Sequence, residues 1–143
     1  MSVMHFSVPR DIVYGENALQ TLSTLKGKRA GLVTGGSSMK RFGFLEQAQS
    51  LLEKAGMACI IIDGVEPNPS VATVQRGAKA MLEFEPDWIV AIGGGSALDA
   101  AKVMWCFYEH PQLKFEDILP VGSMPALRNK ARFVAIPSTS GSA

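Results

Sequence analysis

Histidine and cysteine are scarce in this chain: His5 and His110, Cys59 and Cys106, within 143 residues. Two cysteines cannot build a disulfide framework; they fit a reducing compartment, here the cytoplasm. No His, Cys, Asp and Glu cluster has metal-ligand spacing, and no nucleophile–base pair is legible. Charge is thin as well. Charged residues make up 19% of the chain, below the roughly 25% of an average soluble protein. Fourteen basic against thirteen acidic side chains leave a net charge of +1. Such a chain has no electrostatic footprint for nucleic acid or an anionic membrane. No apolar run approaches the roughly 18 residues of a membrane-spanning helix. Residues 1–10 carry no basic flank before an apolar stretch, so no secretory leader is expected there. What is abundant is apolar side chain, at 47%. That excludes disorder and suits one domain over residues 1–143.

The chain alternates strand-like and helix-like segments. Residues 4–8 and 11–14 read as short extended arms around Pro9-Arg10, an expected small hairpin. Residues 17–25 carry Leu19, Leu22 and Leu25 at helical spacing until Gly27. Four short runs, 29–34, 57–62, 88–92 and 133–136, are almost wholly apolar, as strands covered on both faces require. Helical patterns lie between them: 39–55, with a break at Gly43 and a stop at Gly56; a helix capped by Ser70 that ends near Phe84; and 97–108, ended by Pro111. Residues 63–69 form a Pro-punctuated loop, and 112–130 read as irregular. The predicted fold is α/β: a Rossmann-like, doubly wound, mostly parallel sheet with an N-terminal β-hairpin. Ligands of such sheets bind beyond the carboxyl ends of the strands. That points to the loops at 34–38, 93–96 and 137–141.

The loop Gly93-Gly94-Gly95-Ser96 leads into a helix that carries Asp99 and Lys102. Consecutive glycines at a strand-to-helix turn let backbone N–H groups approach a phosphate, and the helix N-terminus adds donors and a positive dipole end. The dinucleotide fingerprint G-x-G-x-x-G is only partly met, because Leu98 stands where its third glycine belongs; a Walker A motif is absent. A capping box of Ser96 with Asp99 accounts equally well for those two residues. The loop Thr34-Gly35-Gly36-Ser37-Ser38, followed by Lys40 and Arg41, holds no carboxylate. Cations in a first helical turn oppose the dipole unless an anion is near. Asp63 is a rival ribose-binding acid or, equally, a turn residue. The third loop, Pro137-Ser138-Thr139-Ser140-Gly141-Ser142, is rich in hydroxyls. His5 reads as a surface residue, and His110 as a helix end. Met104, Trp105 and Phe107 read as helix packing, and Trp88 as packing at a strand start. On this reading the chain is an anion-binding α/β domain without a catalytic group.

Four ordered stretches together resemble the iron-containing (group III) alcohol dehydrogenase family. Residues 6–18 look like its opening strand pair and glycine. Residues 64–70, Gly-Val-Glu-Pro-Asn-Pro-Ser, are similar to its G-x-x-P-N-P-[ST] loop. Residues 93–102 match its G-G-G-S-x-x-D-x-A-K signature, and 135–141 look like the start of its P-[ST]-T-[SA]-G-T motif. Ala97 departs from a common Pro, and Ser142 from a Thr. The chain ends inside the last motif.

The resemblance implies the N-terminal cofactor-binding domain of such an enzyme, with the family's C-terminal helical domain absent. Cofactor roles carry over to Gly94, Gly95, Ser96 and Asp99 near the pyrophosphate, to Asn68 of the P-N-P loop, and to Ser138, Thr139 and Ser142. NAD-preferring members often have Asp where this chain has Gly35. With Gly36, Ser37, Ser38 and Lys40 beside it, that loop looks like the NADP-preferring subgroup, and NADP is favoured over NAD. Family members bind iron or another divalent metal through one Asp and three His of the missing domain, so no metal ligand and no catalytic residue carry over. The implied parent reaction moves a hydride between a small alcohol or aldehyde and NAD(P), and this fragment alone is expected to be inactive. A glycerol dehydrogenase or dehydroquinate synthase-like relative, or a stand-alone nucleotide-binding module, are the alternatives. Residues 4–8 are a candidate edge for pairing with a second copy.

Overall fold

The computed structural model describes residues 3, 10–36 and 42–138 of the chain. Four strands form one fully parallel sheet: β1 (Arg29–Thr34), β2 (Ala58–Ile62), β3 (Trp88–Gly93) and β4 (Arg132–Pro137), in the order β2-β1-β3-β4. Three α-helices connect them: α1 (Phe44–Lys54), α2 (Val71–Phe84) and α3 (Gly95–Glu109). Central strands β1 and β3 explain their own composition. Ala30 and Leu32 of β1 and Val90 and Ile92 of β3 face one core, with Leu45, Ala48, Leu51 and Leu52 of α1. Val33, Ile89 and Ala91 face the other, with Val74 and Met81 of α2 and Ala100, Ala101 and Met104 of α3. A strand whose alternate residues both meet a helix layer has no room for a polar side.

Helix–helix approach across the second layer depends on Gly77, where a Cβ would overlap the Met104 side chain. Ser70 caps α2, its hydroxyl accepting from Thr73 N–H at 3.1 Å, as its position before the helix predicts. At the foot of the sheet Asp87 accepts from Lys28 N–H at 2.8 Å and Arg29 N–H at 3.1 Å, tying the starts of β1 and β3 together. Trp88, at the start of β3, donates its indole N–H to Lys26 O at 3.0 Å.

Several elements differ from expectation in form. Residues 17–25 make a 3-10 helix, Ala18–Thr24, behind a left-handed Asn17 with no side-chain cap. With Leu22 its one buried residue, too little packs on it to support an α-helix. Helix α1 starts at Phe44, because Gly43 is left-handed at φ 76°; residues 37–41 lie outside the described part. Helix α3 starts at Gly95 with Gly94 as its cap residue. Ser96 is therefore inside the helix and forms no capping box with Asp99. Residues 11–14 are not in a strand, and Ile12, Val13 and Tyr14 are exposed. Extended backbone becomes a strand only with a partner ladder, and the other expected arm, residues 4–8, lies outside the described part together with the proposed pairing edge.

The stretch 112–130 holds one 3-10 turn, Phe115–Ile118, and is otherwise irregular. It is nonetheless anchored. Buried Glu109, at the end of α3, accepts the indole N–H of Trp105 at 2.8 Å. It also accepts the backbone N–H groups of Arg128 at 3.0 Å, Asn129 at 2.9 Å, Lys130 at 3.2 Å and Ala131 at 3.2 Å. His110 follows and contacts Ala126 O through Nε2. That carboxylate delivers the chain into β4.

Candidate functional site

Strand β1 leads to α1 on one face of the sheet, and its neighbour β3 leads to α3 on the other. The chain therefore diverges at the carboxyl ends of two adjacent strands, the place where parallel sheets leave a crevice. A cleft of about 380 Å³ opens there, lined by Gly35 and Gly36 after β1, by 64–67 after β2, and by 94–97 after β3. Backbone bonds set its walls. Gly64 N–H donates to Gly35 O at 3.2 Å and Val65 N–H to Thr34 O at 3.3 Å; Ser138 N–H donates to Gly93 O at 2.8 Å.

Small residues make the space. A Cβ at Gly35 would stand 3.2 Å from Val65 O, and one at Gly93 would stand 3.3 Å from the Ala97 methyl. Gly93 also has φ 143°, which L side chains rarely adopt. Beyond Gly36 and Gly95 nothing lies within 4 Å of an added Cβ. The first intrahelical bond of α3 runs from Leu98 N–H to Gly94 O. The N–H groups of Gly95, Ser96 and Ala97 thus have no helical partner, no side chain among the described residues caps them, and no acidic residue sits in the first turn. Three donors at the positive end of a 15-residue helix make an anion-binding wall. One residue before Gly35, the Thr34 hydroxyl is fully buried and unpartnered among the described residues.

The cleft brings together five of the residues singled out from sequence: Gly35, Gly36, Gly94, Gly95 and Ser96. Ser138 adjoins through its bond to Gly93. Asn68 and Asp99 are exposed and do not line the cleft; Asn68 forms the left-handed crown of its loop at φ 54°. Asp63 does not line it either, and its backbone oxygen accepts from Arg76 Nη2 at 2.7 Å. Ser37, Ser38, Lys40, Thr139 and Ser142 lie outside the described residues.

Glu66 is the ionisable lining residue that sequence reasoning missed. Its Oε1 accepts Ser70 N–H at 2.7 Å, and the Thr73 hydroxyl lies 2.7 Å from Oε1 and 2.8 Å from Oε2. The Ser70 N–H, the Thr73 hydroxyl, its own backbone N–H and the Ser70 hydroxyl hold its carboxyl well below the usual range, at about 2, against a small opposing effect of burial. A larger hollow of about 670 Å³ lies on the outer side of α2 and α3, between Leu82, Phe107 and Phe115, and contains none of the glycine loops.

The sequence matches the family model for iron-containing alcohol dehydrogenases over residues 9–143. The chain belongs to the iron-containing alcohol dehydrogenase family. It is 58% identical over 141 residues to an NADPH-dependent butanol dehydrogenase of Clostridium saccharobutylicum, covering 99% of this chain and 36% of that protein. Among solved structures it is similar to an archaeal halo-thermophilic alcohol dehydrogenase from a Red Sea brine pool, at TM-score 0.87 and 34% identity, covering 99% of this chain and 38% of that one. The iron-containing alcohol dehydrogenase of Thermococcus thioreducens gives TM-score 0.85 and 36% identity, over 96% and 38% of the two chains. This family member thus spans a little over a third of these relatives.

Two groups follow from family membership, and they fit the described residues differently. The N–H groups at the start of α3, uncapped among the described residues, and the open space beyond Gly36 and Gly95 suit a dinucleotide pyrophosphate. Among the described residues no three His, Cys, Asp or Glu side chains come together to hold a metal ion. The described residues of this chain do not fit iron, and no chemistry is assigned to it through them. No described helix is long and apolar enough to cross a membrane.

Proposed function

We propose that this chain is the cofactor-binding part of a cytoplasmic NAD(P)-dependent dehydrogenase acting on small alcohols or aldehydes, with NADPH preferred. The observation that carries the reading is the N-terminus of α3, uncapped among the described residues and opening onto the crevice between β1 and β3. The pyrophosphate sits on the Gly95, Ser96 and Ala97 N–H groups. The bound nicotinamide supplies the hydride chemistry; this chain binds and orients it. Asn68 and Asp99, exposed at the cleft's margins, Ser138 beside Gly93, and Ser37, Ser38, Lys40, Thr139 and Ser142 complete the site on this reading.

The NADPH preference rests on Gly35. No carboxylate stands at the end of β1 to accept a ribose hydroxyl and repel a 2′-phosphate. The named cofactor of the butanol dehydrogenase relative supports the same choice. Calorimetry of this chain with NADPH and NADH tests it: tighter NADPH binding is expected, and equal or weaker binding overturns it. Gly35→Asp should reverse the ratio, with some loss of affinity for both ligands because its Cβ crowds Val65 O. No turnover of alcohol is expected from the purified 143-residue chain; measurable oxidation by a contaminant-free sample would count against a purely cofactor-binding role.

A further inference from the structure

Among the described residues that line the cleft, Glu66 is the one ionisable side chain, and it is negative. A cleft for a pyrophosphate would ordinarily exclude such a group. Its charge is held from one side. Ser70 N–H and the Thr73 hydroxyl bind the carboxylate, and both belong to the start of α2, where a positive helix end favours an anion. The Ser70 hydroxyl in turn donates to Thr73 Oγ1 at 3.1 Å. Between Glu66 and Ser70 the chain arches over Pro67, Asn68 and Pro69, closed by these bonds. The carboxylate is a fixed charge, not a wandering surface one. An ionised carboxylate is an acceptor only, with no proton of its own to donate.

Two chemically opposite groups therefore share one cleft. The α3 N-terminus offers donors and positive potential; Glu66 offers acceptors and negative charge. Phosphate oxygens accept hydrogen bonds, whereas sugar hydroxyls donate them. We propose that Glu66 is a specificity-determining residue of the cofactor cleft: its carboxylate accepts a hydrogen bond from an unphosphorylated ribose hydroxyl of the bound dinucleotide and keeps phosphate out of that part of the cleft. The dinucleotide is thereby held in one direction, pyrophosphate on α3 and sugar on the Pro-Asn-Pro loop. This assignment rests on the dinucleotide reading above.

The test is calorimetry of the wild-type chain and Glu66→Gln, each with NADPH and with inorganic pyrophosphate. Gln keeps a carbonyl oxygen for Ser70 N–H, so the arch persists while the charge goes. Expected is a loss of about tenfold in NADPH affinity, the size of a hydrogen bond to a charged acceptor, with pyrophosphate bound as tightly as before or tighter. Unchanged NADPH affinity overturns the assignment. An equal loss for both ligands also overturns it, since that marks Glu66 as loop scaffolding alone. Amide chemical shifts of the wild-type chain give a second measurement that needs no variant. Gly95 and Ser96 should move with either ligand, but Glu66 and Ser70 only with NADPH; Glu66 and Ser70 amides indifferent to NADPH overturn the assignment. Wild-type protein that binds neither ligand overturns the dinucleotide reading itself and this assignment with it, whereas binding without the Glu66 signature removes only the latter.

Discussion

At the scale of single residues, position decides what a group can do. Glu66 looks from its surroundings like a solvated loop acid, yet its carboxyl is pulled down to about 2 by the Ser70 and Thr73 donors. A carboxylate whose folded pKa lies below its unfolded value of 4.5 adds stability above that value and loses it as pH falls toward 2. Urea midpoints of wild-type protein should therefore fall faster than those of Glu66→Gln between pH 4.5 and the acid limit; parallel curves would show that these bonds contribute nothing. The glycine residues of the site were legible from sequence, because repeated glycine at a strand-to-helix junction answers to a local backbone need. Glu66 was not. Its partners lie four and seven residues ahead and meet it only after Asn68 turns left-handed. Gly93, Gly94 and Gly95 also misled in one respect: they read as a loop, but Gly95 is already helical, which removes Ser96 from the cap.

At the scale of elements, α3 works at both ends. Its N-terminus lines the cleft, and its last residue, Glu109, gathers the chain that enters β4. Burial pushes the Glu109 carboxyl up, but the N–H groups of Asn129, Ala131, Trp105 and Lys130 outweigh it and leave the group ionised below its usual range. Glu109→Ala would strand several buried donors and should cost about 3 kcal/mol by chemical denaturation. Glu109→Gln, which retains an acceptor, should cost clearly less; equal losses would mean that volume, not hydrogen bonding, is what Glu109 supplies. The periodicity of α1, α2 and α3 was readable because each buries a stripe against the sheet. The irregular course of 112–130 was readable too; its anchoring was not, since that comes from a carboxylate on another element and from no repeat of its own. The 3-10 form of 18–24 was missed for a related reason: leucine spacing marks a helix, while the burial that would stabilise an α-helix is decided by its neighbours.

At the scale of the molecule, the sheet order separates strands that look alike in sequence. Leu32 in β1 is fully buried, while Ile61 in β2 is 40% exposed, and the two stand in register. Leu32→Ala should cost about 2–5 kcal/mol, Ile61→Ala roughly 1 kcal/mol; similar urea midpoints for both would contradict the placing of β2 at an edge. Sheet order also creates the site, because β1 and β3 are neighbours only in the folded chain, with α1, β2 and α2 between them along it. Apolar runs, helix periods, the Ser70 cap and the glycine turns followed from local sequence, since each answers to backbone geometry or to burial within a few residues. The convergence of three loops on one cleft, the ionised Glu66 in its wall and the Glu109 anchor at the far end of α3 were decided by tertiary structure. Their partners come from other elements or from across an arch, and hydrogen bonds of that kind exist only once the strands have been ordered.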